Sequence, residues 1–192
     1  MRISARGSGV YLKSLAVEDA DAIRQNADDR ELARDVASSG RFPSPYTLKD
    51  AHEFIQAAVG LYVLGTDMHM GVWVSEPEHT LVGACALTGI DMANWRAELS
   101  YWVGRRHWGN GIGKAAASTM IAYAFGELGL NRLYCHVFES NIRSIALLRS
   151  LGFVEEGRLR GHDIMDGKSV DTLVFGLLAS ECPKIEKVEL SD

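Results

Sequence analysis

The segment Val10-Tyr11-Leu12-Lys13-Ser14-Leu15 alternates apolar and polar residues over part of its length, which predicts a strand. Val17 to Ile23 then opens an amphipathic helix with Glu18, Asp19 and Asp21 in its first turn, where the helix dipole favours acids. A second helical piece is expected over Asp29–Val36. Ser38–Pro45 carries a glycine and two prolines and reads as a loop, after which Thr47 caps a helix from Leu48 to about Val59. From Met68 the period shortens to two. Met70–Val74 and Leu81–Leu87 read as strands around a polar turn at Glu76–His79, and a third strand runs Ala97–Val103. Glycines follow at 104, 109, 111 and 113, then a long helix from about Ile112 to Gly126. A strand (Arg132–Val137), a helix (Arg143–Ser150, stopped by Gly152) and two strands near Phe153–Arg160 and Val170–Leu177, turning at Asp166-Gly167, complete the pattern. Hairpins first and strand–helix–strand units later predict an α/β or α+β domain with a mixed sheet. One domain over residues 1–182 is expected, with 183–192 a charged, frayed tail.

Composition narrows the function. Lys plus Arg number 20 against 25 Asp plus Glu, a net charge of −5. A general nucleic-acid binder would show a basic excess, so nucleic acid is not an expected partner. Three cysteines (Cys85, Cys135, Cys182), far apart and odd in number, suggest incidental thiols in a reducing compartment. Neither a secretory h-region nor a run of membrane-spanning length is visible, so a cytoplasmic location and no membrane partner are expected. No Cys/His spacing matches a metal site. Among the six histidines no pair is spaced as a metal or triad set; His107 lies beside the glycine loop, and His52, His69, His79, His136 and His162 read as structural or surface residues.

The most informative stretch is Ala97 to Lys114, in which a strand, a glycine-rich loop and a helix start follow directly. Free N–H groups at a helix N-terminus form an anion site, and glycines admit a phosphate close to them. Arg105, Arg106 and Lys114 concentrate positive charge there. A Walker A loop fails twice, because Trp108 stands where the first glycine belongs and Ala115 replaces the metal-binding hydroxyl. A dinucleotide fingerprint fails because Lys114 occupies its third glycine. A plain glycine-rich helix cap is the remaining bland reading.

Trp108-Gly109-Asn110-Gly111-Ile112-Gly113 resembles motif A of the Gcn5-related N-acetyltransferases (GNAT), Q/R-x-x-G-x-G/A, with Trp at its first position as in the branch of ribosomal-protein N-terminal acetyltransferases. Leu12–Leu15 with Glu18-Asp19-Ala20 resembles that branch's first strand and helix. Asn141-x-x-Ser144 with Leu151-Gly152-Phe153 resembles a later motif, and Glu156-Gly157, Arg160, Asp166-Gly167 and Asp171 resemble its C-terminal hairpin. The resemblance covers roughly residues 10–178. It implies a mostly antiparallel mixed sheet of six to seven strands flanked by helices and splayed at the cofactor site. It also implies acetyl-CoA as co-substrate, no metal, an amine acceptor and a monomer or homodimer. Main-chain groups near Trp102 and Val103 would meet pantetheine, and Arg106, Trp108, Gly109, Asn110, Gly111, Ile112, Gly113 and Lys114 the pyrophosphate. Asn141 and Ser144 would also contact the cofactor.

Transfer from a thioester to an amine requires the amine to be neutral. Near pH 7 roughly a tenth of α-amines are neutral, against well under a thousandth of lysines, so a modest base suffices for the former. Glu98, on the strand leading into the loop, is the candidate base, with an ion-paired strand residue as the alternative. Many members of the family protonate the leaving thiolate with a Tyr; Leu148 stands there in this chain, so Ser144 or solvent must serve. A protein N-terminal amine is the favoured acceptor and a small-molecule amine the other option. A catalytically silent acyl-CoA sensor of the same fold is the alternative function.

Overall fold

The computed structural model describes residues 1–5, 7–36, 42–76, 78–182 and 187–191. Its strands are β1 (Arg2–Ala5), β2 (Val10–Ser14), β3 (Met68–Val74), β4 (Thr80–Asp91), β5 (Arg96–Val103), β6 (Arg132–Phe138), β7 (Val154–Met165), β8 (Lys168–Leu178) and β9 (Val188–Ser191). The helices are α1 (Ala20–Ala27), α2 (Arg30–Asp35), α3 (Leu48–Leu64), α4 (Ile112–Gly126) and α5 (Ile142–Ser150). All strands form one sheet in the order β7-β8-β6-β5-β4-β3-β2-β1-β9, antiparallel except for β5 beside β6.

Among the described residues nine strands replace the six to seven expected. Arg2–Ala5 is too short to stand out as periodic, yet Ile3 is fully buried and pairs with Leu12. Val188–Ser191, expected to fray, pairs along β1 from Arg2↔Ser191 to Ala5↔Val188. Its side chains are largely solvent-facing, so backbone pairing rather than an apolar pattern makes it a strand. Residues 38–41 of the expected Ser38–Pro45 loop and 183–186 of the tail lie outside the described residues.

Consecutive strand residues point to opposite faces and build two cores. Val82 joins Leu12, Val72, Met120 and Leu133 on the face covered by α4, whereas Leu81 joins Leu15, Ile23, Ile55 and Tyr46 under α1 and α3. The middle of α4 is buried nearly all round (Ala116, Ala117, Met120, Ile121, Ala124), its alanines letting the helix lie close to the sheet. Thr47 caps α3 as expected, its hydroxyl accepting from the Asp50 N–H while the Asp50 carboxylate accepts from the Thr47 N–H. The helix runs past Val59 to Leu64, where Gly65 at φ 71° ends it.

One interruption of this sheet shapes the site. β5 pairs with β6 only at Arg96↔Arg132, Ala97↔Leu133 and Glu98↔Tyr134, although on its other edge it pairs with β4 as far as Val103. Beyond Glu98 the two strands separate. β5 then feeds the glycine loop and α4, and β6 feeds Asn141 and α5, so both helices begin at the opening.

Candidate active site

After Val103 the chain makes a 3-10 turn (Arg105–His107) and then passes Gly109 and Gly111 at φ 79° and 74°, a conformation that suits glycine. A Cβ added at either would meet no atom within 4 Å, so the loop faces open space. The Gly111 carbonyl accepts the Ala115 N–H at 3.0 Å and starts α4. The first-turn N–H groups of Ile112, Gly113 and Lys114 therefore have no partner within the helix, and no acid lies in that turn. Trp108 is fixed by packing. Its indole Nε1–H donates to the Val103 carbonyl at 2.6 Å, and the Arg143 guanidinium lies 4.1 Å from its ring centroid.

A short strap joins the two sides of the opening. Asp29 caps α2 by accepting from the Glu31 and Leu32 N–H groups. Arg105, before the loop, reaches Glu31 at 2.9 Å and Asp29 at 3.7 Å. Arg143, in the first turn of α5, reaches Glu31 at 2.9 Å and Asp35 at 2.7 Å. The Asn141 amide donates to the Asp35 carbonyl at 2.8 Å, while its oxygen accepts the Ser144 N–H at 3.0 Å and caps α5. These ion pairs are half-exposed, and each is worth little alone.

Where β5 and β6 part, the Glu98 carboxylate lies 2.8 Å from His136 Nδ1. Further along the gap, Tyr101 Oη and Ser144 Oγ are 2.8 Å apart. Burial pushes the Tyr101 phenol well above its ordinary range, so it stays protonated and able to donate. All four side chains line one cavity of about 950 Å³. The glycine loop and the start of α5 line it together with Leu32, Val36, Phe42, Tyr46, Phe54 and His69. Phe42 packs edge-on against Trp102 at 5.8 Å and lies 5.2 Å from Tyr46. Burial pushes the Tyr46 hydroxyl up to about 12, with the Asp50 charge adding to the effect. Burial also holds His69 below its ordinary value, against the opposing pull of Asp67. Among the described residues no cluster of three or more His, Cys, Asp or Glu side chains is gathered as for a metal ion, and no helix is long and apolar enough to cross a membrane.

This glycine loop beside a splayed sheet agrees with the comparison against known families, in which residues 10–154 match the acetyltransferase (GNAT) domain. The chain belongs to the GNAT acetyltransferase family. Accordingly it is an acetyl-CoA-dependent N-acetyltransferase. It is 34% identical over 171 residues to the uncharacterized N-acetyltransferase p20 of Bacillus licheniformis, covering 88% of this chain and 93% of that protein. Two solved structures share the fold. Mycobacterium smegmatis RimJ in complex with CoA-disulfide is 22% identical with a TM-score of 0.84, covering 96% of this chain and 89% of that one. RimL, a ribosomal L7/L12 α-N-protein acetyltransferase in complex with coenzyme A, is 15% identical with a TM-score of 0.81, covering 92% and 97%.

Within this GNAT domain the expected site residues separate into two groups. Glu98, Trp102, Val103, Trp108, Gly109, Gly111, Ile112, Gly113, Lys114, Asn141 and Ser144 line the cavity, whereas Arg106 and Asn110 do not. Arg106 Nε instead donates to His107 Nε2 at 3.0 Å, and Asn110 turns back toward the His107 and Trp108 carbonyls. Arg105 is committed to Asp29 and Glu31, so of the three cations expected around the phosphates only Lys114 faces the cavity. Both polar atoms of the Asn141 side chain are likewise engaged within the protein. Leu148 is buried in the cavity wall and offers no proton.

Sequence reasoning passed over Tyr101, His136 and Arg143. For His136 a signal existed. Leu133, Cys135 and Val137 form the buried face of β6, which puts Tyr134 and His136 on the other face. A strand–helix–strand connection makes β5 and β6 parallel neighbours, so Glu98 comes to the same place.

Proposed function

We propose that this enzyme acetylates the α-amine of a protein N-terminus by direct attack on the thioester in a ternary complex. The observation that carries the reading is one cavity lined together by Glu98, the glycine loop and the apolar side chains of Leu32, Val36, Phe42, Tyr46 and Phe54. The residues present suit acetyl-CoA. The loop and the first turn of α4 offer unpartnered N–H groups to a pyrophosphate, and Lys114 supplies one positive charge. The edge of β5 beyond Glu98 has no strand partner and suits amide-bearing pantetheine, although the Val103 carbonyl is taken by Trp108. Acetyl-CoA supplies the acyl carbon and a good leaving group.

The chain's own groups manage the protons. The carboxylate of Glu98 provides the basic centre against the attacking amine, a modest demand for an α-amine. At the other end of the gap, Tyr101 Oη and Ser144 Oγ share a hydrogen bond in which either can donate; with the phenol as donor, the Ser144 hydroxyl proton is free for the departing sulfur. That arrangement answers the missing Tyr at position 148. The apolar walls formed by Leu32, Val36, Phe42, Tyr46 and Phe54 suit the first side chains of an extended peptide. RimL, named as an α-N-protein acetyltransferase, is built on the same fold.

The test compares three acceptors by coenzyme A release and product mass: a lysine-free peptide with a free α-amine, the same peptide with its α-amine blocked and a lysine added, and spermidine. The expected result is turnover of the first, at least tenfold faster than of the other two. Preference for spermidine or for the lysine would overturn the assignment of the acceptor.

A further inference from the structure

Glu98 does not stand alone in the cavity wall. Its carboxylate is 2.8 Å from His136 Nδ1, with both side chains about one-third exposed. An ionised carboxylate can only accept a hydrogen bond, so the ring proton of a neutral His136 must sit on Nδ1. Nε2 is then left with its lone pair. We propose that His136, held in this tautomer by Glu98, is the atom-level base of the reaction, and that Glu98 acts as its positioning and charge-stabilising partner. The inference rests on the acetyl-transfer reading and deepens it by dividing the base between two residues.

In the chemical step the amine nitrogen forms a bond to the thioester carbon and the carbon–sulfur bond breaks. The proton lost by the amine goes to His136 Nε2, and the sulfur takes its proton from Ser144 or water. The imidazolium formed lies against the Glu98 carboxylate, whose charge offsets it. It then releases its proton to solvent before the next turnover.

The surroundings favour the imidazole in this role. An imidazole is the side chain that exchanges its proton most readily near neutral pH, whereas a carboxylate holds a proton weakly there. Three other titratable groups approach the pair. The Tyr134 ring lies edge-on to His136 at 5.8 Å, and burial raises its phenol, so it stays neutral. His162 of β7 stacks at 6.4 Å with an interplanar angle of 16°, and its exposed ring places a second imidazole between His136 and solvent. Cys135 is buried and held far from ionisation by that burial, reinforced by the Glu98 charge. Among the described residues no lysine or arginine is paired with the Glu98 side chain, and His136 is the partner of its carboxylate.

The test uses the full chain and whichever amine the wild type turns over, so a failed N-terminal assignment leaves it readable. His136→Gln, Glu98→Gln and the double variant are compared for kcat/KM across pH 5.5–9.5, with acetyl-CoA affinity measured by calorimetry as the control for folding. His136→Gln can still donate to the Glu98 carboxylate. If Glu98 were the base alone, this variant would keep wild-type turnover and the wild-type pH profile, and the proposal would fall. The expected result is a loss of about 10²–10⁴-fold near pH 7, a vanished titration limb, recovery toward high pH and unchanged acetyl-CoA affinity. The double variant should be no slower than His136→Gln, because the two residues act as one unit. Should His136→Gln not fold, nitrogen-15 resonances of histidine in the wild-type protein decide the matter. A proton on Nδ1 with a bare Nε2 supports the proposal, and the opposite tautomer overturns it.

Discussion

Replacing Gly111 with alanine separates what the glycine loop does for the fold from what it does for the ligand. Gly111 sits at φ 74°, and a Cβ there would touch nothing within 4 Å. Steric overlap therefore contributes nothing, and the cost is the left-handed backbone itself, about 1–2 kcal/mol for a residue with a side chain. In a chain of this size that lowers the melting temperature by roughly 2–8 °C, leaving a folded protein at 25 °C. The methyl group, however, enters the open space before the first N–H groups of α4. Loss of one hydrogen bond to a charged phosphate is worth about 1.5–3 kcal/mol, so acetyl-CoA should bind roughly 10- to 100-fold more weakly by calorimetry. Gly60, on the outer face of α3 with no positive φ and nothing within 4 Å, is the control. Gly60→Ala should gain about 0.5–1 kcal/mol of stability and keep its affinity. A folded Gly111→Ala protein that binds acetyl-CoA like the wild type would refute the pyrophosphate assignment.

Two further outcomes follow from the geometry. Trp108→Phe keeps a ring beneath Arg143 but removes the 2.6 Å bond to the Val103 carbonyl, which should cost about 1–3 kcal/mol in denaturant unfolding; an unchanged midpoint would show that the bond contributes nothing. Burial holds His69 below its ordinary value of about 6.5, so as pH falls through that value the unfolded chain takes up a proton that the folded one refuses, and stability is lost with acidification. The wild-type melting temperature should therefore drop more between pH 7 and pH 5 than that of His69→Gln, and parallel curves would contradict this.

Most helix and strand positions were legible because the relevant signals are local, whereas β1 and β9 were not, being short and held by pairing with each other. Thr47 announces α3, and the glycines at 109, 111 and 113 announce the start of α4. Tyr101 and His136 were not legible as site residues because each looks like an ordinary strand residue until its neighbour is known. Tyr101 matters only because α5 brings Ser144 within 2.8 Å of it, and His136 only because β6 lies parallel to β5. Arg105 failed in the other direction. Its place beside the glycines suggested a phosphate contact, yet two acids of α2, more than seventy residues earlier in the chain, hold it.

The splay of the sheet and the position of the base have one origin. Pairing between β5 and β6 stops at Glu98↔Tyr134, and beyond it Tyr101 bonds to Ser144 at the start of α5. Past that point the edge of β5 facing β6 has N–H and C=O groups without a strand partner, and buried backbone groups of this kind are costly to leave unpaired. An extended ligand bearing its own amides, as pantetheine does, suits such an edge better than water does. The vertex of the same opening is where two parallel strands last touch, and residues on one face two positions out of register can still meet across it. Glu98 and His136 occupy that vertex, on the far side of the gap from the glycine loop. A ligand anchored by its phosphates at the loop and lying along the unpaired edge would thus direct its acyl end toward the pair. On the proposed reading, the interruption that would make room for the ligand would also fix where chemistry on it takes place.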